Sequence, residues 1–500
     1  MTRRLLATHL LLCHVLLLPG CDDAKRSEPE HFAHAAQPAA PASDARMVEG
    51  SAAHEKAAEN PFVAIADDAR STFSIDVDTA AYSNVRRMLQ DGTLPPPEAV
   101  RIEEMVNYFD YDYEAPTGEA PFSMASEVGP CPWQPEHQLV HIGLQGRTID
   151  EGHLPARNLV FLLDVSGSMN APDKLPLLTR GLGMLVDTLR PIDRVAIVVY
   201  AGASGVVLDP TSDKAEVMAA LARLEAGGST NGGAGIELAY AMAERSFVSG
   251  GVNRVILATD GDFNVGTTDQ AELTALIEAK RESGVFLSVL GFGTGDLRDS
   301  TMELLANKGN GNYAYIDSIA EARKVLVEEA GSTLVTIAKD VKVQVEFDPA
   351  KVASWRLVGY ENRVLAHSDF TDDRKDAGEI GAGHSVTAMY EIVPTTDSAP
   401  GPLMKVALRY KDPSGDESRA LGFDVTADDR PLADRSDDFR FAAAVAELGM
   451  LLRGSEHVGT ATWEGAHALA NGALGADVNG RRAEFLALVD RARALSKARG

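Results

Sequence analysis

Three separated segments of the 500-residue chain carry oxygen donors in a pattern that suits a metal ion. Asp164-Val-Ser166-Gly-Ser168 follows an apolar run at 159–163. Its Asp and two Ser alternate along a segment that must turn, so three oxygens can converge on one point, and Gly167 permits the tight turn. Gly227-Gly-Ser-Thr230 offers another hydroxyl ahead of a helical segment, and Ile256-Leu-Ala-Thr-Asp260-Gly ends another apolar run in a carboxylate. No His or Cys accompanies these residues. An all-oxygen set selects a hard cation, Mg2+ most simply, with octahedral demands at about 2.0–2.1 Å. Mn2+ and Ca2+ are the alternatives.

The elements that must position these oxygens follow from hydropathy. Residues 159–163, 195–199, 255–258 and 285–290 are near-continuous apolar runs, which suit strands covered on both faces. Between and after them lie helical periodicities at 174–189, 213–224, 234–247, 269–283 and 320–332. The alternation predicts an α/β, doubly wound sheet over residues 156–332. In such a sheet the carboxyl ends of the strands form the ligand crevice, and Asp164 and Asp260 stand at two of those ends.

Other regions flank this one. Residues 61–118 begin with a strand-like alternation at 73–78, then helical spacings at 79–90 and 100–109 around Pro95-Pro96-Pro97. Residues 119–155 hold strand-like runs at 122–128 and 138–144, and residues 333–430 return to alternation at 341–347, 385–392 and 403–409. These predict an antiparallel β-sandwich. The segments on either side of the α/β domain are expected to share it, with the α/β domain inserted between them, because chain termini of domains often lie close together. Residues 431–500 predict C-terminal helices at 439–452 and 484–495, packed on the sandwich or on the N-terminal region.

The donor pattern resembles the metal-ion-dependent adhesion site of von Willebrand factor A domains, which are Rossmann-like: Asp-x-Ser-x-Ser, a distant Thr, then a distant Asp. All of its positions are present, as Asp164, Ser166, Ser168, Thr230 and Asp260. Phe73-Ser-Ile-Asp-Val-Asp-Thr-Ala-Ala-Tyr, Arg101-Ile-Glu-Glu-Met-Val-Asn-Tyr-Phe, Thr259-Asp-Gly-Asp-Phe-Asn-Val-Gly266, Gly378-Glu-Ile-Gly-Ala-Gly-His and Asp437-Asp-Phe-Arg-Phe extend the resemblance to a family of exported bacterial A-domain proteins. The resemblance implies that Ser166 and Ser168 bind Mg2+ directly, and that Asp164, Thr230 and Asp260 bind directly or through water. Neutral hydroxyls then leave the cation electrophilic, and a carboxylate from a protein partner completes the octahedron. The expected function is therefore metal-dependent protein recognition rather than catalysis. An assembly or stator subunit working beside a separate ATPase or envelope complex is the alternative.

Asp76-Val-Asp78-Thr79 bears on a remoter alternative. It resembles the start of haloacid-dehalogenase-like phosphotransferases, where the first Asp is a nucleophile and the second a general acid. Here a Pro-rich turn and β segments follow instead of a long α/β domain, so N-capping of the next helix by Asp78 or Thr79 is the favoured role.

The N-terminus reads as an address. Met-Thr-Arg-Arg precedes an apolar run at 5–18, the layout of an export signal. The run is shorter than the roughly 20 residues a spanning helix needs. Leu18-Pro19-Gly20-Cys21 resembles a bacterial lipobox, with Pro19 where that motif has a small residue. It implies lipid attachment at Cys21 and a lipoprotein of the bacterial cell envelope, membrane-anchored and facing the periplasm or exterior. Residues 22–60 are rich in Ala, Pro, Ser and Glu and read as a flexible tether.

The chain has three cysteines, Cys13, Cys21 and Cys131, which excludes a disulfide scaffold. Cys131 is expected to be buried. With 47 Lys+Arg against 73 Asp+Glu, the net charge of −26 argues against nucleic acid as a partner. It also sets a problem, since a partner's carboxylate must approach an acidic protein. Local shielding or a salt-sensitive contact is required.

Overall fold

Helices and strands are assigned for residues 59–201, 203–228, 232–261, 270–294, 299–330, 334–395 and 401–499 in a computed structural model, and these are the described residues. Cys21, the segment expected to be an export signal and nearly all of the expected tether lie outside them. The first elements are β1 (Val63–Ala64), β2 (Arg70–Ser74), α1 (Ala80–Gln90), α2 (Ile102–Asn107), β3 (Phe122–Pro130) and β4 (Gln138–Gly146). The strand expected to run through Asp78 stops at Ser74. There the Asp76 carboxylate accepts the Asp78 amide at 3.0 Å, a side-chain turn that takes the backbone out of the ladder.

The α/β domain comprises β5 (Arg157–Asp164), α3 (Leu175–Asp187), β6 (Arg194–Tyr200), β7 (Ser204–Thr211), α4 (Lys214–Leu221), α5 (Gly232–Arg245), β8 (Val252–Thr259), α6 (Gln270–Glu282), β9 (Phe286–Phe292), α7 (Asp299–Lys308), β10 (Tyr313–Ile316) and α8 (Ile319–Arg323). A π-helical turn, Lys324–Glu328, continues α8. The sheet order is β10-β9-β8-β5-β6-β7, parallel except for β7 against β6. Along β5, Leu159, Phe161 and Leu163 pack into one face and Val160 and Leu162 into the other. That is why the run is apolar without alternation. Sequence periodicity did not register β7, α7 or β10. β7 is a half-exposed edge strand containing Gly205 and Pro210, and β10 has only four residues.

Six further strands follow: β11 (Thr336–Phe347), β12 (Val352–Val358), β13 (Gly378–Gly381), β14 (Ser385–Pro394), β15 (Met404–Lys411) and β16 (Ser418–Val425). One sheet runs β1-β12-β14-β4-β3; the other runs β13-β11-β15-β16, with β2 also on β11. β4, before the α/β domain, pairs antiparallel with β14, after it. The chain thus leaves the sandwich at Gly146 and rejoins it at Thr336, with the α/β domain inserted. Phe73, Ile142, Val343, Tyr390 and Leu408 meet in the core between the sheets. The N-terminal strands β1 and β2 are therefore members of the sandwich rather than of a separate unit.

The C-terminal helices are α9 (Asp437–Arg453), α10 (Trp463–Asn471) and α11 (Arg481–Arg499). Ser436 caps α9 by accepting the Phe439 amide at 3.0 Å, and Gly454 ends it in the left-handed region at φ 66°. These helices pack on the N-terminal ones: Tyr82, Leu89, Met105 and Phe109 share one buried core with Phe441, Val445, Phe485 and Val489. Cys131 is buried in the same core, as expected, and burial pushes its thiol up, away from the reactive thiolate. Among the described residues no helix is long and apolar enough to cross a membrane.

Candidate metal centre

The order of strands reverses between β5 and β8, and both donor carboxylates sit there. Asp164 is the last residue of β5 and Asp260 immediately follows β8. Both are buried. Asp164 Oδ1 accepts the Ser166 amide at 2.9 Å, and its Oδ2 accepts the Thr259 hydroxyl at 3.3 Å. The loop then turns through a short 3-10 segment, Gly167–Asn170, and brings the Ser166 and Ser168 hydroxyls to 2.9 Å of each other. The nearby loop is tied on by two backbone bonds: Gly227 donates to the Val165 carbonyl at 2.7 Å and Gly167 to the Gly228 carbonyl at 3.1 Å. Gly228 has φ 89°, a left-handed conformation that explains a glycine there. Thr230 lies outside the described residues.

Burial raises the pKa of Asp164 above the ordinary carboxylate value, and the Asp260 charge adds to this, while the Ser166 and Thr259 hydrogen bonds oppose it. The donor set of Asp164, Ser166, Ser168 and Asp260 consists of oxygens only, with Asp164 and Asp260 at strand ends and the two serines on the turn that follows β5. It fits a hard divalent cation. Sequence reasoning missed one residue at this centre. Lys174, just ahead of α3, donates its ammonium to Asp260 Oδ2 at 2.8 Å. Nothing in its local sequence marks it, because its partner lies 86 residues away.

A second group of carboxylates is organised differently. Asp76, Asp78 and Glu303 approach one another closely, but the Arg363 guanidinium lies among them, 3.1 Å from Asp76, 3.5 Å from Asp78 and 2.9 Å from Glu303. The expected helix cap is not made by Asp78 or Thr79. Asp78 instead accepts the Tyr313 amide of β10 at 2.8 Å, and Glu104 from α2 caps α1 by accepting the Ala81 amide at 2.8 Å. A carboxylate reaching in from another helix replaces the local cap. Buried and engaged, Asp78 ties the N-terminal region to the α/β domain and Asp76 ties it to Arg363 of the sandwich, an arrangement unlike an exposed nucleophile.

Acids outnumber bases around this tie, and burial pushes several of them above the ordinary carboxylate range. Burial raises Glu103 to about 8, with the Glu361 and Glu104 charges adding to it. Burial likewise raises Glu104 to about 7, against the pull of Arg101. Between the ordinary carboxylate value and these, the folded chain keeps protons that the unfolded chain releases, so stability falls as pH rises through that window. His141 and His384, buried and lowered to about 4, act in the opposite sense but only below their ordinary value of 6.5. These carboxyls are therefore expected to lower stability on the order of 2 kcal/mol between roughly pH 6.5 and 8. Thermal unfolding across that range checks this, and Glu103→Gln should flatten the slope; a profile that rises with pH in both proteins counts against it.

Comparison with known proteins gives the same architecture. Residues 159–262 match the von Willebrand factor type A domain family, residues 48–141 match a family described as von Willebrand factor, and residues 332–495 match the C-terminal family of the uncharacterized protein YfbK. YfbK of Escherichia coli strain K12 is 43% identical over 468 residues, covering 88% of this chain and 81% of that protein. A UPF0353 protein of Mycobacterium ulcerans is 28% identical over 216 residues, covering 38% of this chain and 64% of that protein. A solved von Willebrand factor type A protein from Catenulispora acidiphila is 18% identical with a TM-score of 0.41, covering 74% of this chain and 89% of that one. Since the likeness to YfbK runs through the sandwich and the helices as well as the α/β domain, the chain belongs to the YfbK family of von Willebrand factor type A domain proteins.

Proposed function

We propose that this chain is a metal-dependent protein-binding module, tethered outside the cytoplasm through lipid on Cys21, whose A domain recognises a carboxylate of a protein partner. The observation that carries the reading is the meeting of Asp164 and the Ser166–Ser168 hydroxyl pair at the same sheet reversal as Asp260. Asp164, Ser166, Ser168 and Asp260 would hold Mg2+, with Thr230 as the further ligand. The bound cation supplies an electrophilic position that a carboxylate can fill. The chain's own part is to keep Asp164, Ser166 and Asp260 buried while Ser168 stands at the exposed side of the set.

The test is calorimetric titration of Mg2+ into wild type and the Ser166→Ala/Asp260→Ala double variant, followed by affinity capture from a bacterial envelope extract with and without EDTA. Mg2+ binding is expected to weaken by at least about tenfold in the variant, since each lost ligand contributes on the order of 1.4 kcal/mol or more. Capture is expected to fall away with EDTA. Capture that excess EDTA leaves untouched would sink the reading.

A further inference from the structure

Lys174 is built into the centre rather than resting beside it. Its Nζ is 2.8 Å from Asp260 Oδ2, and the two side chains are only 14% and 3% exposed. The rest of the side chain crosses the end of β9 at Gly293. A β-carbon added there would stand 2.2 Å from Lys174 Cε and 2.9 Å from its Cγ, so the lysine's path depends on that glycine. Gly293 has φ 78° and its carbonyl accepts the Tyr315 hydroxyl at 2.7 Å, which fixes the path from beneath. At the other end, the Lys174 carbonyl accepts the Leu178 amide at 2.8 Å and anchors the residue to the first turn of α3. Three elements therefore deliver one ammonium onto one carboxylate of the donor set.

We propose that Lys174 is a built-in competitor for Asp260, which a divalent cation must displace. The inference rests on the metal-dependent reading above and concerns what sets its threshold for the cation. The physical reason is that an ammonium and a divalent cation on the same carboxylate repel each other across a few ångströms of partly buried space. Lysine suits the role because its flexible stem lets a compact charge swing away without unfolding anything.

Calorimetric titration of Mg2+ into the full chain tests this, with wild type, Lys174→Met and Lys174→Arg compared and thermal unfolding used to confirm that each is folded. Lys174→Met is expected to bind Mg2+ on the order of tenfold more tightly, the size of one partly buried ion pair. Lys174→Arg keeps the charge and should stay near wild type. The Mg2+-induced rise in Tm should be larger for Lys174→Met than for wild type. Should Lys174→Met fail to fold, Lys174→Gln takes its place. Wild-type binding with equal or weaker affinity in the neutral variant overturns the competitor alone. No Mg2+ binding by either folded protein overturns the metal reading itself, and the competitor with it.

Discussion

Replacing Arg86 with methionine is expected to destabilise the protein by about 3–5 kcal/mol, the range for breaking a buried ion network by removing one partner. Arg86, on α1, is buried. Its Nε and Nη2 reach both oxygens of Asp317, at 2.7 and 2.5 Å, and Nη2 also donates to Glu321 at 2.7 Å. Nη1 donates to the Tyr108 hydroxyl at 2.7 Å and to Glu484 at 3.3 Å. The guanidinium thus joins the N-terminal helices, the approach to α8 and the C-terminal helix α11. Burial works against the Glu321 carboxylate, but the Arg86 and Lys324 charges outweigh it and hold it below its ordinary value. Methionine would fill much of the space and leave Asp317 and Glu321 without their main counter-charge. Arg86→Lys, a point charge unable to fork, should fall between the two. Chemical denaturation measures all three, and a loss under about 1 kcal/mol for the methionine variant, typical of a surface pair, would show that the network is not coupled to the fold.

Gly311→Ala is expected to cost about 3 kcal/mol or more, or to prevent folding, for a steric reason alone. A β-carbon at Gly311 would lie 1.8 Å from the Leu287 carbonyl oxygen and 2.5 Å from its carbon. Those are backbone atoms of β9 and no rotamer relieves the clash. The neighbouring bonds resist movement, since Leu287 donates to the Gly309 carbonyl at 2.9 Å and Val289 to that of Asn312 at 3.0 Å. The strand that would shift is β9, whose end is followed by Gly293 beside Lys174. Gly118→Ala is the comparison, because nothing lies within 4 Å of its added carbon. Thermal unfolding of the pair should show a large loss for the first and almost none for the second. Equal small losses would mean that the β9–β10 connection yields easily.

These effects belong to two kinds of information. Residues 159–163 read as a central strand because burial on both faces demands an unbroken apolar run, and that demand is local. The same holds for Asp164-Val-Ser166-Gly-Ser168, whose turn is made within the segment by the Asp164 carboxylate and the Ser166 amide. Asp260 was legible because its place at a strand end follows from the run before it. The edge strand β7 carries no such demand, since solvent covers part of it, and periodicity passed over it.

What the sequence by itself determined is therefore the α/β pattern, the sandwich alternation and the placement of Asp164 and Asp260 at neighbouring strand ends. Tertiary structure alone decided which charges meet. Lys174 lies 86 residues from Asp260, Asp76 lies 287 from Arg363, and Arg86 lies 231 from Asp317. A lone lysine or a buried aspartate carries no mark of its partner, because an ion pair needs only proximity and opposite sign, with no spacing rule along the chain. Asp78 looked like a helix cap because its neighbours fit that local role. The fold gave the cap to Glu104 and turned Asp78 to the Tyr313 amide, since once packed, a group distant in sequence can stand closer than the next residue's own side chain.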